Sequence, residues 1–290
     1  MSLGSCLELI ESVKDYKVLF VGDTIIDEYH FVQPLAKAAK EHLIPMRYLS
    51  EEVYEGGVAA AAAHAKDFCA KVDVWKNQRE VRKVRMVDKD SMRKLAEIHY
   101  ERQGSGKSYG YGEHDVVVVA DFGHGAINSE EARNWSQNPE FLAVSAQSNS
   151  ANMGFNLITK YHRADYIVID EPEARLAAAD RDSHIEDVIR KLAHGRCEKF
   201  VVTHGRHGAY GYENGNFYHQ KAVSNSLVVD TLGAGDAFLS VTAPMAKTGG
   251  MKELLLIGCV AGAIQCGVVG NKSPVTKEEV KKWLVRLHGN

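Results

Sequence analysis

The feature that most constrains this chain is the recurrence of short β-branched runs, KVLFVG (17–22), VVVVA (116–120), YIVI (166–169) and KFVVT (199–203). Longer segments of helical spacing separate them, at 57–69, 129–138, 171–180, 184–194, 235–248, 251–268 and 276–287. This alternation predicts an α/β architecture, a parallel sheet with helices on both faces. Each run ends at or against Gly, Asp, Glu or Thr, and in open sheets of this kind ligands bind in the crevice at the carboxyl ends of the strands. Two sections break the rhythm. Residues 28–55 read as short strands and turns, and residues 81–100 mix charge with β-formers, so both are expected as insertions on the sheet's edge, forming a lid. With 290 residues and no repeat, low-complexity tract or linker, the chain is expected to be one domain, 1–290, with that lid.

The bulk numbers exclude some partners. A formal charge of -3 gives no global drive toward nucleic acid or an anionic membrane, so any anion site must be local. The 5 cysteines are odd in number and form no C-x-x-C pair, which fits a reducing compartment and no disulfide framework. No apolar run reaches the roughly 20 residues of a membrane span, and no signal-like N-terminus is present. A cytoplasmic protein acting on small molecules is expected, and the Asn271-Lys272-Ser273 sequon carries no meaning there.

Two motifs fail on inspection. GSGKS (104–108) imitates the end of a P-loop, but Glu101 stands where the first glycine is needed and a strand follows instead of a helix. The histidines of HGRH (204–207) lie in a glycine-rich loop without a third ligand nearby, and are read as solvated loop residues.

DTLGAGDAF (230–238) is different. It joins an apolar run to a helical segment, and a helix N-terminus carries unsatisfied N–H groups and the positive end of the helix dipole. Gly233 and Gly235 let successive amides converge and leave no Cβ in the way of a phosphate. A carboxylate at Asp236 is misplaced beside an anion unless it takes the proton of an attacking hydroxyl. It can also simply cap the helix, and on the residues alone both readings stand.

The string D-T-x-G-A-G-D strongly resembles the C-terminal signature of the ribokinase-like (PfkB) carbohydrate kinases. The resemblance implies a three-layer αβα Rossmann-like ribokinase fold with a small β lid, ATP and Mg2+ as cofactors, and sugar or sugar-phosphate phosphorylation. It makes Asp236 the catalytic base and Gly233, Ala234 and Gly235 the anion hole. KVLFVGDTIIDEY (17–29) looks closest to the heptose-phosphate kinase branch, with Asp27 and then Asp23 gripping the sugar. EGGVAAAAAHAK (55–66) resembles the di-glycine at the sugar, Gly56 and Gly57. DEPEAR (170–175) stands where the family has N-x-x-E, so Asp170 and Glu173 are implied to organise Mg2+ through water. Thr203, Gly205, Arg206, Thr231, Gly262 and Ser273 are implied on the nucleotide side, with a monovalent cation, K+, near Asp230 and Ser273.

The departures lie on the sugar side. Ala60 replaces the usual Asn, His124 replaces the lysine of an S-D-Y-x-K-G-like run (ADFGHGAI, 120–127), the middle segment is short, and AVSAQSNS (143–150) lacks the usual D-P-K or D-x-N-x-R. Lys37, Lys40, His42 and Arg47 lie where a lid would close and would suit a phosphorylated sugar; solvated lysines on an exposed edge are the alternative. A homodimer through the lid is expected. Two other functions stay open, a non-catalytic or weakly active sugar or nucleotide binder, and a kinase for a non-sugar alcohol.

Overall fold

The valine run becomes strand β5 (Val116–Asp121), buried at every position, with parallel neighbours on both sides. The structure is a computed structural model and describes residues 2–35, 41–102, 112–223 and 228–289, with 76–79 described by backbone alone. Strands β1 (Lys17–Pro34), β3 (Lys71–Asp88), β6 (Leu142–Ala146), β7 (Tyr166–Asp170) and β8 (Lys199–Thr203) continue the parallel ladder, and β9 (Ala209–Glu213) and β10 (Asn216–Gln220) close one edge antiparallel. With β4 (Lys94–Arg102) the order is β10-β9-β8-β7-β6-β5-β1-β3-β4, and β2 (Met46–Gly56) pairs with β1.

Side chains alternate across a strand, so each apolar run supplies two cores. Val18, Phe20, Val116 and Val118 point to one face and pack with α1 (Leu3–Ser12), α2 (Gly57–Ala65), α6 (Ala234–Ala246), α7 (Met251–Gln265) and α8 (Lys277–His288). Leu19, Val21, Val117 and Val119 point to the other, against α3 (Ser129–Trp135), α4 (Glu171–Ala178) and α5 (Ile185–Ala193). Three layers result, as expected from the alternation. Helix α1 was absent from that expectation. It is short, and its start is fixed by reciprocal Ser2 and Ser5 caps, while Cys6, Leu9 and Ile10 bury its inner stripe.

The two irregular sections are more regular than expected. Instead of short strands and turns, β1 and β3 each run for 18 residues, leaving the core sheet and continuing side by side. A register shift between Gly22 and Thr24 marks the exit, the kind of irregularity that re-aims a strand. Beyond it β2-β1-β3-β4 form a projecting sheet with a small core of its own, Tyr29, Phe31 and Val87 with Tyr54 packed against them. Because β1 has β3 on one side and β5 on the other, the crossovers diverge there. That switch point opens a crevice at the strand carboxyl ends.

Candidate active site

A cavity of about 950 Å3 occupies the crevice. Its wall takes Asp27 from β1, Lys83 and Arg85 from β3, Gln147 from the loop after β6, Asp170 and Glu173 from the start of α4, and Thr231 to Asp236 from the start of α6. Two helix N-termini and a projecting sheet thus meet at one place.

The GAG segment turns into α6 through Gly233, whose φ of 78° is the left-handed conformation that side chains disfavour. An added Cβ at Gly235 would meet nothing within 4 Å. Glycine there keeps a backbone surface open to the cavity, beside amides that have no acceptor within the helix. Asp236 lies in the first turn, and Gln147 Nε2 donates to its Oδ1 at 2.8 Å. Burial among protein atoms raises the Asp236 carboxyl to about 6; the Gln147 bond and Lys83 oppose this, and the Asp27 charge adds to it. A carboxyl at that value is ionised at neutral pH yet basic enough to accept a proton.

Asp170 and Glu173 form a reciprocal capping box at the start of α4, Asp170 Oδ1 accepting from Glu173 N at 2.7 Å and Glu173 Oε2 from Asp170 N at 2.9 Å. Ser148 N donates to Glu173 Oε1 at 2.9 Å. Burial, then the Asp170 charge, pushes Glu173 up to about 8, with Asp236 adding to it, and Asp170 is raised mainly by burial. Three crowded carboxyls with raised affinity for protons are a donor set that a hydrated divalent cation would relieve. On that chemistry the residues present fit Mg2+.

At the end of the cavity formed by the projecting sheet, Arg85 Nη1 donates to Asp27 Oδ1 at 2.5 Å, and its Nε lies 2.6 Å from Glu97 Oε2. Asn271 Nδ2 donates to Asp27 Oδ2 at 3.3 Å. Gly56 is required here, because a Cβ would stand 2.2 Å from Asp27 Oδ2. It makes room for the carboxylate rather than lining the cavity, whereas Gly57 does line it. Lys83 also lines the cavity and makes no ion pair or hydrogen bond with the described residues; burial lowers its pKa.

Asp23 is not brought to the cavity. It is 2 % exposed, its Oδ1 accepts from Ala126 N at 2.9 Å, and burial raises it to about 6. The chain turns its carboxylate toward the loop before α3, off the cavity wall where it was expected. Lys37 and Lys40 lie outside the described residues, as does GSGKS. His42 and Arg47 are exposed and off the wall, Arg47 donating to Gln33 at 3.4 Å. The positive charge at Asp230 comes from Lys94 Nζ at 3.4 Å, while Leu232 N and Gly270 N donate to the same carboxylate at 3.1 and 3.3 Å. Ser273 is exposed and is not on the cavity wall, whereas Asp230 is. Thr203, Gly205, Arg206, Thr231 and Gly262 line the cavity, next to an apolar slot of Val223, Val228, Cys259, Ala263 and Cys266. His204 sits 2.5 Å from Glu171 Oε2, so it is held rather than freely solvated.

Sequence reasoning missed Gln147, Asn271, Lys83 and Arg85. The last two were within reach, since period-2 alternation puts 83 and 85 on one strand face. Where His124 replaces a lysine, the ammonium on neighbouring Asp121 arrives from Lys160, which also donates to Asn156 Oδ1 at 2.7 Å.

Comparison with known proteins agrees with the fold. The family model described as pfkB family carbohydrate kinase matches residues 136–278, just under half of the chain. A probable fructokinase-6, chloroplastic, from Arabidopsis thaliana is 29% identical over 139 residues, 45% of this chain; those residues span 36% of that protein. Among solved structures, a ribokinase from Thermotoga maritima superposes with a TM-score of 0.72 at 16% identity, over 93% of this chain and 99% of that one. An Arabidopsis thaliana ribokinase complexed with ribose and ATP gives 0.70 at 16%, over 93% and 99%. A nucleoside kinase from Methanocaldococcus jannaschii gives 0.67 at 15%, over 94% and 99%.

Proposed function

We propose, from the premise that this is a ribokinase-like chain of the pfkB carbohydrate-kinase group, that it transfers the γ-phosphoryl group of ATP to a hydroxyl of a sugar or sugar phosphate. The observation that carries the reading is the pairing, in one cavity, of an open glycine-lined helix start with a carboxyl held at about 6. The acceptor hydroxyl lies against Asp236, which takes its proton as the bond to phosphorus forms, and Gln147 holds the carboxylate in place. Amides of 233–236 and the α6 dipole stabilise the charge that develops on the phosphoryl oxygens. Asp170 and Glu173 would hold Mg2+ through water, and the ion supplies charge neutralisation on the ATP phosphates. The slot beside Cys259 and Cys266 takes the base, and Thr203, Gly205, Arg206 and Gly262 border the nucleotide.

Asp27, held by Arg85 and Asn271, presents an oriented carboxylate to sugar hydroxyls. Lys83, a half-buried cation with no ion pair or hydrogen bond among the described residues, favours an acceptor that carries an anionic group, in line with the heptose-phosphate kinase branch. The projecting sheet closes over this end as the lid of a single kinase domain, 1–290. Its exposed Tyr48, Val53, Ile98 and Tyr100 suit a homodimer formed lid to lid.

The test is turnover of ATP with a panel of pentoses, hexoses and heptoses, each free and phosphorylated, followed by 31P resonance of the product. A new phosphate monoester with matching ADP is expected for at least one member. A non-hydrolysable ATP analogue that binds without any acceptor ever being phosphorylated supports the non-catalytic alternative instead.

A further inference from the structure

A second cavity, of about 530 Å3, opens on the outer face of the projecting sheet, with Glu28, His30, Arg82, Val84, Met86 and Tyr100 on its wall. Strand alternation sends Asp27 to the large cavity and Glu28 and His30 to this opposite face. Glu51 of β2 stands directly across from His30 in the ladder. The imidazole Nε2 of His30 contacts Glu28 Oε1 and lies 3.2 Å from Glu51 Oε2. All three ligand atoms fall within 4.8 Å of one another.

One imidazole N–H serves one acceptor well. Here two carboxylate oxygens converge on the same nitrogen, so three lone-pair atoms surround a shared point. Glu28 is 7 % exposed and pairs with the half-exposed Arg82, so a cation at its Oε1 would add to that compensation. Arg82 Nη1 lies 3.3 Å from Oε2 of Glu28, which fixes the carboxylate with Oε1 toward His30. The Tyr48 ring meets the His30 ring edge-on at 5.6 Å and steadies its plane. Such outer contacts are what orient the ligands of a metal.

We propose that Glu28, His30 and Glu51 form a divalent-cation site on the outer face of the projecting sheet, taking Zn2+ or a neighbouring first-row ion, with water from the cavity completing its shell. An imidazole with two carboxylates suits such ions, whereas Mg2+ prefers an all-oxygen octahedron. The bound ion pins β1 to β2 directly behind Asp27, so it tightens the sheet that carries the acceptor end.

The experiment is calorimetric titration of nucleotide-free protein with ZnCl2 in excess Mg2+, alongside visible absorption with Co2+, for the wild type, His30→Ala, Glu51→Gln and Glu173→Gln. The wild type and Glu173→Gln are expected to bind one equivalent with a Co2+ d–d band and a raised melting temperature. His30→Ala is expected to lose that equivalent, and Glu51→Gln to weaken it by about tenfold or more. Because Glu51 is half-exposed, its variant decides the matter should His30→Ala fail to fold. No binding by the wild type, or unchanged affinity in Glu51→Gln, overturns the site and leaves His30 hydrogen-bonded between two carboxylates.

Discussion

The two ends of the large cavity are built from different materials. The end proposed to hold phosphate consists of strand termini, two helix starts and backbone amides, all resting on the two large cores of the αβα layers. The acceptor end hangs on a projecting sheet whose own core is Tyr29, Phe31 and Val87, and its order comes from charge, the chain Asp27–Arg85–Glu97. Backbone geometry backed by a large core tolerates sequence change elsewhere, whereas a charge network ties specificity to particular side chains. On the proposed function, reaction type and substrate preference are therefore separable in this molecule.

The largest effect expected from breaking that contrast is at the phosphate end. Asp236→Asn keeps the Gln147 contact in reach but removes the proton acceptor, so turnover should fall by about 10²–10⁴ while nucleotide affinity is kept. In the wild type the rate should rise with pH through about 6, where Asp236 ionises, and the variant should lack this limb. Equal turnover would return Asp236 to a capping role.

At the acceptor end the expected effect is on stability. Arg85→Met leaves Asp27, which is 5 % exposed, without its buried counter-charge. Removing one partner of such a pair costs about 3–5 kcal/mol. The loss should be concentrated in the projecting sheet, read as faster amide exchange in 25–34 and 80–88 with the αβα layers unaffected. Uniform loss across the chain would show that the sheet is not the weaker unit.

A third effect sharpens the comparison through pH. Folded Glu173 keeps its proton to about pH 8, whereas the unfolded carboxyl releases it near its ordinary value of 4.5. Between those values the unfolded state binds fewer protons, so wild-type stability falls as pH rises through the window. Glutamine loses no proton and keeps one acceptor for the capping box, but its NH2 leaves either Asp170 N or Ser148 N without an acceptor. Glu173→Gln should therefore lie furthest below the wild type near pH 4 and gain on it as pH rises toward 8, at about 2–4 °C per kcal/mol. Its turnover should drop, because Mg2+ loses a carboxylate.

The same contrast explains what could be read in the sequence. The core strands announced themselves because burial on both faces demands VVVVA and KFVVT, and the GAG turn because its job needs glycine at fixed spacing. The long strands of the projecting sheet did not, since half-exposed β residues mixed with charge, as in β3 and β4, look like irregular loops. The resemblance ranks Asp27 before Asp23, but nothing in the strand pattern itself separates them. Both are strand carboxylates in one motif, and only the register shift between Gly22 and Thr24 decides which faces the cavity. Gln147 and Asn271 come from loops whose positions depend on contacts distant in sequence, Asn271 reaching Asp27 across the whole chain.

Gly235→Ala separates chemistry from fold most directly. The added methyl meets no protein atom within 4 Å, and alanine favours a helix over glycine by about 1 kcal/mol. The variant should therefore melt at or above the wild-type temperature. If the mouth of α6 is the phosphate cup, the same methyl stands where phosphoryl oxygens must approach, and turnover should fall by about 10²–10³. A variant that is at least as stable and fully active would contradict the phosphate cup.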